Sequence, residues 1–252
     1  MSELPIDLGQ QGSWPIGVRA LVDELAATAR RWPEGQSGRS ACDLAIADAR
    51  FSETAERRVR DALSGDLILA YQATRLLPHE VDDIRDTGLL PLSEDLRRRK
   101  VYRAAANYPQ LISSGESEWM LASGPLTWQH GTADVRLGVI CVVAPICAFI
   151  WDAGGLEPLL AQWGGESIYW QDGPAPALER LTAVSVPSII EVAIPSEVMH
   201  GSGLLWPVMV GAVLELESPW REWHVRCSVP PASVIDIIQP GGERWPSGLS
   251  CA

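Results

Sequence analysis

The sequence predicts an α+β fold, and three observations carry that prediction. Residues up to about 64 read as helices, and most of the remaining chain reads as short strands with few helices between them. That order suits an α+β chain better than a doubly wound sheet, which needs strict alternation. No Gly-x-Gly-x-x-Gly follows a strand and there is no P-loop, so the two common nucleotide-binding α/β folds lack their signatures. Hydrophobic residues make up 46% and charged residues 21% of the 252 positions, which is enough apolar material for a buried core.

Taken in order, residues 1–13 look like a loose tail. Over 16–32 the apolar positions Ile16, Val18, Leu21, Val22, Leu25 and Ala26 suit a helix, with Pro33 beyond its end. Residues 35–38 read as a polar linker. Residues 41–63 read as one or two helices, with Ser40 as N-cap and Gly65 as the stop. Residues 67–74 form a strand. A short helix comes next, with Pro78 in its first turn, Val81 and Ile84 on one face and Gly88 at its end. Residues 93–106 are helical, 107–134 irregular and 135–143 a strand. A helix is expected over 147–163, weakened by Gly154 and Gly155, then a strand over 166–171 and a turn over 173–177. Strands are expected at 189–194, at 204–216 as one bent strand, at 222–229 and at 234–238. The expected organisation is a helical segment over 1–64, a core domain over 65–240 and a tail over 241–252.

The formal charge is −12. An acidic surface repels phosphate backbones, so nucleic acid is a disfavoured partner. One basic run interrupts the trend: Arg97, Arg98, Arg99 and Lys100, then Arg103. We prefer to read it as a solvated helix face; the sharper reading is a contact to phosphate or nucleotide. The five cysteines include no Cys-x-x-Cys pair, and Cys141 and Cys147 lie in an apolar run. A disulfide framework is not expected, and a reducing, cytoplasmic setting is. No signal peptide is expected. The apolar run 137–151 is shorter than the roughly 20 residues of a membrane span, so no membrane partner is expected. Eleven Trp against two Phe suit either half-buried cleft walls or core filling.

The four histidines form no His-x-x-x-His pair, so no metal site is expected. No Gly-x-Ser-x-Gly elbow marks a serine hydrolase. Three segments stand out. In Tyr71-Gln72-Ala73-Thr74-Arg75, Gln72 and Thr74 share one strand face and Tyr71 and Ala73 the other. A glutamine amide both donates and accepts, as a carboxamide ligand requires; the ordinary alternative is the polar face of an edge strand. In the segment from Trp163 to Trp170, Gly164 and Gly165 permit close backbone approach and the aromatic residues suit a ring slot; a helix stop before a core strand fits equally. In 221–229, Glu222, His224, Arg226 and Ser228 share one face. That face is either solvated or carries a cleft carboxylate able to stabilise an oxocarbenium-like transition state.

Together these segments resemble the ADP-ribosyltransferase fold family over roughly residues 66–240. The strand Leu69-Ala70-Tyr71-Gln72-Ala73-Thr74, the helix after Pro78 and the pair Gly88-Leu89 are similar to the family's opening strand, short helix and Gly-Leu turn. The strand after Glu222, the pair Pro230-Pro231 and Val234-Ile235-Asp236-Ile237 are similar to its late catalytic strand and ending. Gln72 stands where the family usually has His or Arg, and Leu137-Gly138-Val139-Ile140-Cys141 stands where it usually has a Tyr- or Ser-bearing strand. The resemblance implies a split antiparallel sheet core and NAD as cofactor-like substrate. It places Tyr71, Gln72, Thr74, Arg75, Gly138, Trp163 and Tyr169 near NAD. It gives catalysis to Glu222, with Glu166 as second candidate, and a transfer of ADP-ribose to an unknown acceptor, a protein or small molecule before a nucleic acid. The alternatives are a non-catalytic binding protein on the same scaffold and an RNA 2′-phosphotransferase-like enzyme, which needs basic residues around its cleft.

Overall fold

The structure is a computed structural model. It describes residues 4–31, 45–122, 136–151, 159–165, 176–201, 203–216, 222–247 and 249. Helices α1 (Ile16–Ala29) and α2 (Ala49–Ala62) precede strand β1 (Leu67–Leu76). Helices α3 (Pro78–Thr87), α4 (Glu94–Asn107) and α5 (Ser114–Ala122) come next, then β2 (Ile140–Val143) and the short α6 (Ala148–Trp151). The chain continues with α7 (Pro176–Val184), β3 (Val186–Pro195), α8 (Leu205–Leu214), β4 (Glu222–Val225) and β5 (Val234–Ile238). The strands form a five-stranded antiparallel sheet in the order β4-β2-β1-β3-β5, so the α+β class is as the sequence predicts. Among the described residues no helix is long and apolar enough to cross a membrane.

The chain divides into two compact units, each built from three separate stretches. Unit 1 comprises Met1–Ala70, Val143–Trp151 and Ala193–Trp223; unit 2 comprises Tyr71–Val142, Asp152–Val192 and His224–Ala252.

In unit 1, α1, α2 and α8 pack on one another. α1 buries Val18, Val22, Leu25, Ala26 and Ala29, a stripe at helical spacing. Asp48 caps α2, its carboxylate accepting the Phe51 N–H at 3.0 Å; the expected cap, Ser40, lies outside the described residues. α8 corrects the bent strand expected over 204–216. Its first seven residues, from Leu205 to Gly211, are all buried, and a run that is apolar all round has no period to separate a buried helix from a buried strand. Pro207 falls in its first turn, where the missing N–H has no intrahelical role. The Glu56 carboxylate accepts the N–H groups of Leu205 (2.8 Å) and Trp206 (3.2 Å) there, and Arg60 Nε lies 2.6 Å from its other oxygen. The N-terminal stretch is not a loose tail. Ile6 bridges Ile68 in parallel, with the Ile6 N–H donating to Leu67 at 2.7 Å, and Leu8 is fully buried. The pair Ile6 and Leu8, spaced two apart as on one strand face, carries that signal, while Leu4 is exposed.

In unit 2, Leu77, Val101, Ala104, Ile112, Met120, Trp163 and Leu181 form an apolar core. Pro78 and Gly88 bound α3 as expected. Gly88 has φ 76°, and a Cβ there would stand 1.9 Å from the Val229 carbonyl oxygen, so only glycine fits. Its neighbour Leu89 exchanges both backbone hydrogen bonds with Val229, each 2.9 Å. That pairing explains why β4 ends at Val225 rather than at 229. α5 corrects the irregular reading of 107–134. The Ser113 hydroxyl accepts the Glu116 N–H at 3.3 Å while Glu116 accepts the Ser113 N–H at 2.9 Å, a capping box written in the sequence as Ser-x-x-Glu. α7 is a further helix, beyond those the sequence predicts; it begins with Pro176 and buries Ala177, Leu178 and Leu181. β2 begins at Ile140 rather than 135, because residues 136–138 form a turn with Gly138 at φ 74°. The helix expected over 147–163 is present as α6 and as helical residues 159–161, with 152–158 outside the described residues. The strand expected over 166–171 also lies outside them. β3 and β5 pair antiparallel, Ile190 opposite Ile237, with a register slip after Glu191. Arg244, in the expected tail, binds the buried Glu191 at 2.7 Å.

Candidate functional site

Unit 2 contains a cavity of about 180 Å³. It lies among β1, α3 and α4, with residues 88–90, Leu92, Val139, Gly164 and Ile190 completing its wall. β1 contributes Gln72 and Thr74, the two residues that strand alternation puts on one face. α3 contributes His79, Glu80 and Asp83, and α4 contributes Arg99, Lys100 and Arg103. The volume is close to the roughly 150 Å³ of an engineered cavity that admits one benzene ring.

Glu80 organises the wall. It is buried, and its Oε2 accepts both the Leu77 backbone N–H and the Trp163 indole N–H at 2.8 Å. Lys100 Nζ lies 2.7 Å from Oε1 and 5.8 Å above the Trp163 ring. Burial alone pushes the Glu80 carboxyl up; the Lys100 charge and these hydrogen bonds outweigh it and hold the group below the usual carboxylate value. Arg103 forms an ion pair with Asp83. Arg99 is exposed at the cavity and takes no ion pair or side-chain hydrogen bond among the described residues. His79 stacks loosely on Tyr108, ring centroids 5.8 Å apart. Its Nδ1 is buried and has no hydrogen-bond partner among the described residues. Burial is the largest influence on the imidazole and lowers its pKa, with Glu80 and Asp83 opposing and Arg103 and Lys100 reinforcing that shift.

Of the residues predicted for NAD, Gln72 and Thr74 come together here. The close approach expected of the glycine pair is present: a Cβ on Gly165, at φ 51°, would stand 2.6 Å from the Thr74 hydroxyl. The other residues do different work. Tyr71 is buried on the opposite face of β1. Arg75 donates to the carbonyls of Leu160 (3.1 Å) and Thr182 (3.1 Å) and to the Ser185 hydroxyl (3.0 Å), tying β1 to α7. Trp163 is fully buried and tied to Glu80, so it packs the core instead of opening a ring slot. Gly138 is exposed in the turn before β2. Glu222 is half-buried on β4, the edge strand, and belongs to unit 1. Glu166 and Tyr169 lie outside the described residues.

The basic run separates by helical phase. Arg97 turns inward and donates to the carbonyls of Met120 and Leu121 (the latter at 3.1 Å), satisfying the end of α5. Arg98 points to solvent and pairs with Glu94 at 3.1 Å. Arg99, Lys100 and Arg103 line the cavity. The solvated-face reading holds for Arg98, Arg99 and Arg103, all exposed, and fails for the buried Arg97; Arg99 and Arg103 also border the cavity. His79, Glu80 and Asp83 are cavity residues that sequence reasoning missed; their place in the helix after Pro78, beside the proposed ligand strand, is the available signal. No family model, curated protein or solved structure matches the chain.

Proposed function

We propose that the unit 2 cavity binds a small phosphorylated ligand of the nucleotide class, and that NAD is the first candidate. The observation that carries this reading is Arg99, a cation with no protein partner among the described residues, at a cavity that Lys100 and Arg103 also line, in a chain of formal charge −12. A guanidinium at the edge of a cavity suits phosphate, which it can bind through two parallel N–H groups. Gln72 and Thr74 add an amide and a hydroxyl, the donors and acceptors that a carboxamide or a ribose needs. NAD enters through the ADP-ribosyltransferase-like resemblance, which locates its site on the same strand, and the finer reading of the fold as that family's core is part of this proposal.

Both carboxylates at the cavity, Glu80 and Asp83, are occupied by cations. This supports binding more directly than it supports bond cleavage. The ADP-ribosyltransferase-like resemblance gives the step that steadies an oxocarbenium-like ribose to Glu222, which does not line the cavity, so transfer is the part of the reading that stands on the resemblance alone. The test has two parts. Calorimetry with NAD and ADP-ribose is expected to detect binding in the wild-type chain and a loss of at least about tenfold in Arg99→Ala, the scale of one charge-assisted phosphate contact. Nicotinamide release is then compared with that of Glu222→Gln. Release that disappears in the variant supports the transferase, binding without release leaves a binding module, and absence of binding by either ligand or by a phosphomonoester sinks the whole reading.

A further inference from the structure

The cavity's charges do not balance, and the imbalance narrows the ligand. This inference rests on the reading of the cavity as a phosphate site and, within that reading, places a phosphomonoester ahead of NAD. Arg99, Lys100 and Arg103 face two carboxylates, Glu80 and Asp83, so one positive charge is left over. A phosphodiester, with one negative charge per phosphate, would use that charge and no more. His79 lines the same cavity, and its Nδ1 is buried without a hydrogen-bond partner among the described residues, so the imidazole is a second group beside the cavity that can become a cation. A volume of about 180 Å³, below the roughly 300–1,000 Å³ usual for ligand pockets, also favours a terminal group over an internal phosphate that must enter and leave. We propose that the anion seat takes a terminal phosphomonoester, a dianion that pairs with Arg99 and hydrogen-bonds His79, and that the imidazole takes up a proton as the ligand binds.

Every charged group around the imidazole enters this balance. Glu80 and Asp83 on its own helix favour the imidazolium, while Lys100 and Arg103 on α4 oppose it. The Tyr108 ring is a neutral face. Burial tips the free site to neutral imidazole, and a bound dianion supplies the missing opposite charge. The proton then moves from solvent to the ring, and affinity rises as pH falls.

The experiment is titration calorimetry of the full chain at pH 7.5 with adenosine 5′-monophosphate and, separately, NAD, each in two buffers of different ionisation enthalpy. At that pH a phosphomonoester with a second pKa of about 6 is already a dianion, so proton uptake reports on the protein. The monophosphate is expected to bind about tenfold more tightly than NAD. Its binding is expected to take up roughly half a proton or more, the amount that results if the dianion lifts the imidazole to the working pH. His79→Gln is expected to abolish the uptake and flatten the pH dependence while keeping weaker binding. NAD binding as tightly as the monophosphate, uptake absent in the wild type, or uptake unchanged in His79→Gln each overturns the inference while the broader reading stands. Failure of both ligands to bind the wild type overturns both.

Discussion

Each unit holds a buried glutamate that accepts two N–H groups and pairs with a cation, and the two are used differently. In unit 1, Glu56 caps the first turn of α8 and pairs with Arg60, four residues on along its own helix. In unit 2, Glu80 closes the first turn of α3 with its own carboxylate, then reaches Trp163 and Lys100. Both line a pocket, and the two pockets differ in charge. Around Glu56 the carboxylates Glu53, Glu56 and Asp61 outnumber the cations Arg57 and Arg60; around Glu80 the cations Arg99, Lys100 and Arg103 outnumber the carboxylates Glu80 and Asp83. The contrast teaches that a buried carboxylate marks a place where backbone donors must be satisfied; whether it also serves a ligand depends on which cations stand beside it.

Breaking the two glutamates separates their roles. Glu80→Ala is expected to have the largest effect, about 3–5 kcal/mol, because it leaves Lys100 as an uncompensated charge and strands two buried N–H groups; urea unfolding measures it. Glu56→Ala is expected to cost less, about 2–3 kcal/mol, since the Arg60 side chain is a third exposed and its guanidinium keeps a bond to the Met199 carbonyl at 3.0 Å. Equal losses in the two variants would erase the contrast. Acid titration is a finer probe. Glu116 on α5 has its carboxyl held at about 2 by the Ser113 N–H and hydroxyl and by Arg180, and Glu80 is also depressed. A depressed carboxyl contributes stability above its unfolded pKa and loses that contribution as pH falls through the folded value. Thermal stability is therefore expected to decline from about pH 5 towards pH 2, and Glu116→Gln is expected to be less stable at neutral pH with a shallower acid decline. The smallest structural effect belongs to Arg99→Ala, within about 0.5 kcal/mol of wild type, although it removes the cation on which ligand binding depends. A large unfolding penalty there would make Arg99 a scaffold residue.

Much of unit 2 is legible from local chemistry. Pro78 and Gly88 bracket α3, Ser93 caps α4 through the Leu96 N–H at 3.1 Å, and the alternation of β1 places Gln72 and Thr74 together. α5 is legible too, in Ser113-x-x-Glu116, but the surrounding Ser, Gly and Trp hide it. α8 is not, because its apolar run has no period and its cap comes from a residue 149 positions earlier. The candidate site divides along the same line. Helical phase, 100° per residue, separates Arg97, Arg98 and Arg99 into three directions, so the cavity cations are readable on a helical wheel. The Glu80–Trp163 bond, 83 residues apart, is a tertiary fact, and without it Trp163 reads as easily as a cleft wall as it does as core.

The Glu56 cap also has a consequence in time. The ribosome makes Leu205 and Trp206 149 and 150 residues after the glutamate that receives them. At about 5–20 residues per second that is a delay of roughly 7–30 s. Throughout it, α2 has been made and its partner α8 has not, so the α2 face that α8 covers in the folded chain stays open.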